Sequence, residues 1–186
     1  MEHGSILCGF GGQGILFAGQ VLAQAAMLEG SQVSWMPSYG PEMRGGTASC
    51  SVVVADRPIG SPLVDQPDSV IALNPPSMAR YEALLVPGGL LVMNCSLIST
   101  HPTRTDIEIV ALPCTELART AGDDRLVSVV GLGALVARRP IVGASAVREA
   151  LAELVRTHHP ELVEADLAAF AAGFDRAGAD RVGALG

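Results

Sequence analysis

Gly9, Gly11 and Gly14, in the run Gly9-Phe10-Gly11-Gly12-Gln13-Gly14, have the spacing of a turn that holds a phosphate. In such a turn the first glycine permits a tight bend, the second lets backbone approach the ligand, and the third lets a helix lie close to a strand. Free backbone N–H groups and the positive end of a helix dipole then face the anion. The competing use of the same glycines is purely structural, the packing of helix on strand. A nicotinamide or flavin dinucleotide needs one thing more, an Asp or Glu about 20 residues further on, at the end of the second strand, to bind the ribose hydroxyls. Here that strand end reads Trp35-Met36-Pro37-Ser38 and carries no acid. Glu29 comes too early and Glu42 too late, so a free-standing NAD(P)- or flavin-dependent oxidoreductase is the weaker alternative.

The same strand leads into Tyr39-Gly40-Pro41-Glu42-Met43-Arg44-Gly45-Gly46. Ligands of open parallel sheets collect at the carboxyl ends of strands, so this loop and the glycine turn are expected to open on one side. Arg44 offers a planar, permanently charged fork for carboxylate or phosphate, or alternatively an ion pair with Glu42. Gly11, Gly12, Gln13, Gly14, Tyr39, Glu42, Arg44, Gly45 and Gly46 form the candidate anion or interface site. No nucleophile stands beside a base, so no catalytic residue is assigned to this chain. Cys8, Cys50, Cys95 and Cys114 lack the paired spacing of a metal site and read as small apolar core residues. His158-His159, just before Pro160, reads as a helix cap and not as a ligand pair.

The elements that position these residues follow from periodicity. Ser5 to Cys8 reads as a strand, the glycines as a turn, and Ile15, Ala18, Leu22 and Ala25 as one face of a helix reaching Gly30. Further strands are expected over Gln32 to Met36, stopped by Pro37, and over Thr47 to Ala55, Ser69 to Leu73, Leu90 to Met93 and Ile107 to Leu112. Helices are expected over Pro76 to Leu85 and about Thr115 to Thr120. The last third is almost wholly helical, with stripes Val147, Leu151, Leu154, Val155 and Val163, Leu167, Phe170, Phe174. The expected fold is α/β and Rossmann-like, a mostly parallel sheet with helices on both faces and a helical C-terminal region, as one domain over residues 1–186.

Nineteen acidic residues against 12 basic ones give a net charge of −7, which repels nucleic acid and anionic lipid. No cationic leader and no apolar run of about 20 residues is present, so neither a membrane nor export is expected and a cytoplasmic location is. The chain is 49% hydrophobic with only 4% aromatic residues. Ala, Val, Leu and Gly therefore supply an apolar content that a domain of this size cannot wholly bury, which points to contact with other subunits.

Four ordered stretches, "GFGGQGILFAGQVLAQAA", "PSYGPEMRGGTASCSVVVAD", "IGSPLVDQPDSVIALNPPS" and "PGGLLVMNCSLI", resemble the gamma subunit of 2-oxoacid:ferredoxin oxidoreductases. The form Ser38-Tyr39-Gly40-Pro41-Glu42 is similar to versions acting on 2-oxoglutarate or branched-chain 2-oxoacids, more than to indolepyruvate enzymes. The resemblance implies a 2-oxoglutarate synthase type of complex. It oxidatively decarboxylates a 2-oxoacid, transfers the acyl group to coenzyme A and sends electrons to ferredoxin. By the same resemblance, thiamine diphosphate and the iron–sulfur clusters belong to companion alpha, beta and ferredoxin-like delta subunits, this chain alone binds no cofactor, and the isolated chain is inactive. One departure stands out: Leu126-Val127-Ser128 occupies a place where relatives often carry an Asn-Met pair.

Overall fold

A computed structural model describes residues 1–39, 46–157 and 159–183, with side chains to 179. Six strands form one sheet: β1 (Glu2–Phe10), β2 (Gln32–Tyr39), β3 (Thr47–Ala55), β4 (Ser69–Ala72), β5 (Leu90–Asn94) and β6 (Glu108–Leu112). The helices are α1 (Ile15–Leu28), α2 (Pro75–Tyr81), α3 (Cys114–Ala121), α4 (Val127–Arg138), α5 (Ala144–Arg156) and α6 (Val163–Gly183). The strand order is β2-β3-β1-β4-β5-β6. Strands β1, β4, β5 and β6 run parallel, each joined to the next by a connection long enough to cross over. Strand β3 runs antiparallel to both β1 and β2 and lies between them. The sheet is thus mostly parallel, with one reversed strand that the sequence reading did not anticipate.

Pro37 does not stop β2, which continues to Tyr39. A proline has no N–H to donate, and an edge strand tolerates that lack because one side of its backbone faces no partner. Gly19 sets the approach of α1 to the sheet: a Cβ there would lie 2.4 Å from Cys50 Sγ and 2.9 Å from Trp35 Nε1. Helix α2 starts at two prolines behind Asn74, whose Oδ1 accepts from Ser77 N at 2.8 Å.

Alternation along the strands sorts the apolar residues into two clusters. Leu7, Cys50, Val52, Ile71, Val92 and their neighbours meet α1 and α4 on the first face. Ile6, Cys8, Val70, Ala72, Leu91 and Met93 meet Met78 of α2 and Leu85 on the second. The two faces are covered unequally. On the first, α5 packs behind α1, and α3 and α6 pack behind α4, so Val127 to Val136 of α4 are buried on every side. Gly131 faces Ile71 of the sheet, and Gly133 faces the backbone of Phe170 in α6. Among the described residues, the only helix longer than one turn on the second face is α2, with seven residues. No described helix is long and apolar enough to cross a membrane.

Candidate functional site

The register places the carboxyl ends of β1 and β2 and the start of β3 on one edge, since Phe10 pairs with Thr47 and Tyr39 with Ala48. Gly11 N donates to Gly46 O at 2.9 Å, which ties the glycine turn to the far end of the second loop. Tyr39, Gly46 and Gly11 to Gly14 are therefore brought to one side, as expected. Glu42, Arg44 and Gly45, the remaining candidates, lie with Gly40, Pro41 and Met43 outside the described residues.

Within the turn, Gln13 closes the bend by accepting from Phe10 N through Oε1 at 2.6 Å and donating its own N to Phe10 O at 3.2 Å. The first α1 hydrogen bond is Ala18 N to Gly14 O, which leaves the N–H groups of Ile15, Leu16 and Phe17 without an intrahelical acceptor. No side chain caps them. Gly14 caps α1 with φ +74°, a left-handed conformation suited to glycine. A Cβ on Gly14 would lie 2.9 Å from Arg125 O and 2.7 Å from Ser128 Oγ. The third glycine therefore brings the start of α1 against the start of α4, so that two helix N-termini meet, while Gly19 handles the packing on the sheet.

Two buried side chains on this edge have an unused polar atom. Among the described residues, fully buried Ser128 has no partner for Oγ, and Asn74, also fully buried, has none for Nδ2. Asn74 follows Leu73, whose N donates to Cys8 O at the end of β1. Ser5 Oγ is the third such atom among the described residues and lies on β1 well before the turn. Buried polar groups normally find partners, so unused ones flanking uncapped helix amides suit a ligand with several oxygens. The sequence reading missed Asn74 and met Ser128 only as a departure from its relatives; each sits just beyond an apolar run, where the chain turns into a helix.

A carboxylate lies beneath the same region. Asp166, in the first turn of α6, is 4% exposed, and burial pushes its pKa up to about 6, with Asp123 adding repulsion and Arg125 opposing it. Arg125 is itself held by Asp123 through a 2.5 Å ion pair. An unfolded aspartate loses its proton near pH 4, whereas folded Asp166 keeps its proton to about pH 6. Its contribution is therefore favourable at low pH, falls between these values and stays lost above them. Asp166→Asn is expected to raise stability at pH 8 by about 2 kcal/mol and to remove this slope, giving no gain below pH 4. Denaturant melts across pH measure it.

The remaining candidate chemistry does not assemble. His3 Nε2 lies 3.0 Å from Ser69 Oγ, but Ser69 is fully buried at the amino edge, away from the turn. Burial lowers the His3 pKa, Asp68 opposing the effect and Arg139 adding to it. Cys8, Cys50 and Cys114 are buried as expected, and burial pushes Cys50 up to about 12 and the other two higher; Cys95 departs from the expectation and is exposed. Among the described residues no three His, Cys, Asp or Glu side chains gather as metal ligands, so these residues do not fit an iron–sulfur cluster. The topology also argues against a dinucleotide. With β3 inserted, β2 lies about 10 Å from β1 and not about 5 Å, out of place for a ribose-binding acid even if it had one.

Residues 5–176 match the pyruvate ferredoxin/flavodoxin oxidoreductase family. The chain belongs to that family. It is 33% identical over 172 residues to the 2-oxoglutarate synthase subunit KorC of Methanocaldococcus jannaschii, covering 91% of this chain and 90% of that one. It is 42% identical over 131 residues to the ketoisovalerate oxidoreductase subunit VorA of Methanothermobacter thermautotrophicus. That match takes in 70% of this chain and about a quarter of VorA, 27%. The crystal structure of a keto/oxoacid ferredoxin oxidoreductase gamma subunit from Geobacter sulfurreducens superposes with a TM-score of 0.81 at 32% identity, covering 95% of this chain and 99% of that one. That gamma subunit thus has this α/β fold over almost its whole length.

Proposed function

We propose that this chain, acting as one domain, is the gamma subunit of a multisubunit 2-oxoacid:ferredoxin oxidoreductase. The complex converts a 2-oxoacid and coenzyme A into acyl-CoA and carbon dioxide and passes the electrons to ferredoxin. Thiamine diphosphate and the iron–sulfur clusters belong to companion subunits. The substrate assigned is 2-oxoglutarate; the similarity to VorA favours ketoisovalerate as a second reading, which assay of the assembled complex with both acids separates.

This chain's part is to hold phosphate groups of coenzyme A at the glycine turn. The observation that carries this is the meeting of two helix starts at Gly14 beside the unused Ser128 Oγ, with the unused Asn74 Nδ2 on the same edge of the sheet. Amide N–H groups there supply directed positive charge, and phosphate oxygens supply the missing acceptors. Arg44 and Glu42, from the loop after β2, are assigned to the same site, Arg44 as its cation. Calorimetry with coenzyme A and with inorganic pyrophosphate is the test. Both are expected to bind, and Ser128→Ala is expected to weaken each about tenfold, the loss of one hydrogen bond to a charged group. Equal affinity of the Ser128→Ala protein, or no binding by the assembled complex, would rule the site out.

A further inference from the structure

We infer that the second face of the sheet, from β2 across α2 to β6, is where the companion polypeptide docks, the one equivalent to the part of VorA outside the matched quarter. This inference rests on the gamma-subunit reading above. The two faces differ by a whole layer, because α1 and α4 on the first are backed by α3, α5 and α6, while the second has one short helix. Apolar side chains stay exposed on the second face: Met36, Leu63 and Leu84 beside α2 and Ile109 on β6. They belong to two open clefts of about 630 and 650 Å³ on either side of α2.

The first cleft also says what its occupant must carry. Its floor is not aliphatic like the rest of the sheet: Ser38, Ser49 and Ser51 present hydroxyls beside Met36 and Ile6. Arg80 projects from the α2 wall with its guanidinium carbon 5.1 Å from the centre of the Tyr81 ring, and Tyr81 OH donates to Ser49 Oγ at 3.2 Å. A partner surface here is aliphatic, with carbonyl groups for the serines and a carboxylate opposite Arg80. A small hydrophobic molecule would leave that polar set unmet.

Chain lengths select the occupant. The same domain is nearly a whole chain in KorC and in the Geobacter gamma subunit, and about a quarter of a longer chain in VorA. A domain used both ways keeps one surface for the remaining protein, joined to it in one case and separate in the other. The helical side is already closed: the outward side of α5 carries Glu149, Glu153 and Arg156. A stable interface covers roughly 800 Å² on each partner, and the α2 face with its flanking clefts carries Met36, Leu63, Leu84 and Ile109 uncovered on one continuous side of the sheet.

The experiment is purification of the assembled complex through a tag on this chain, with subunits quantified by native mass spectrometry. Met36→Asp, Ile109→Asp and the surface change Arg80→Glu are each compared with Met27→Asp, which alters an exposed residue at the far end of α1. Thermal melts of the isolated chains check that each variant folds. Met36→Asp and Ile109→Asp are expected to lower retained companion protein at least tenfold, Arg80→Glu severalfold, and Met27→Asp not at all. Loss with Met27→Asp but not with the second-face variants would overturn the assignment. So would losses that merely follow a lowered melting temperature, or second-face variants that do no more than split a dimer of this chain. A wild-type chain that brings down no companion overturns the gamma-subunit reading itself, and is seen before any variant is made.

Discussion

Gly173→Ala is expected to destabilise the protein by at least about 3 kcal/mol, lowering the melting temperature by about 6–12 °C. A Cβ on Gly173 would lie 1.9 Å from Val130 O, and one on Gly133 2.2 Å from Phe170 O. Both obstacles are helix backbone, which cannot turn aside as a side chain does, so α4 and α6 must move apart along their contact. Their separation opens space around Phe170 and Leu132, both fully buried. Gly133→Ala should behave alike. Gly178→Ala, on the same α6 with nothing within 4 Å of the added carbon, should instead stabilise by about 0.5–1 kcal/mol through helix propensity. Differential scanning calorimetry on the three variants checks the contrast, and a harmless Gly173→Ala would mean that the helices do not meet this closely.

At the glycine turn, Gly12→Asp is expected to weaken coenzyme A binding about 100-fold. Gly12 has φ +93° and nothing within 4 Å of an added Cβ, so a side chain has room and the main structural cost is the left-handed backbone. Asn and Asp bear that conformation similarly, which makes Gly12→Asn the matched control. The two variants then differ by one negative charge beside the helix starts. Two like charges about 5 Å apart at an effective dielectric near 20 repel by about 3 kcal/mol, or about two decades of affinity. Calorimetry should find Gly12→Asn within about tenfold of wild type and Gly12→Asp far weaker. Equal affinities would place the phosphates elsewhere.

How much of this could be read from residues alone varies with the physics of each element. β-Branched residues made β3 legible to the residue, Thr47–Ala55, and glycine spacing located the turn and helix α1. The apolar stripes of α5 and α6 were equally plain. Helix α4 was not, because Val127 to Val136 is apolar on all sides and a fully buried helix has no stripe to betray it. The direction of β3 was hidden as well, since alternation is the same in either orientation and the intervening loop length does not fix it. For the candidate site, spacing placed the glycine turn at the carboxyl end of β1, on the edge where β2 ends and β3 begins. Neither Asn74 nor Ser128 was legible as a site residue, because an unused hydrogen-bonding atom exists only once the surrounding chain has folded over it.

Helix α4 carries a consequence for biosynthesis. Sheet, α3 and α6 enclose it together, and α6 leaves the ribosome well after it. Until then the nascent chain displays a greasy segment with no hydrophilic side to turn outward. Nonsense changes inside α6 should therefore yield a polypeptide retained by chaperones or lost to aggregation, and not a shortened working subunit.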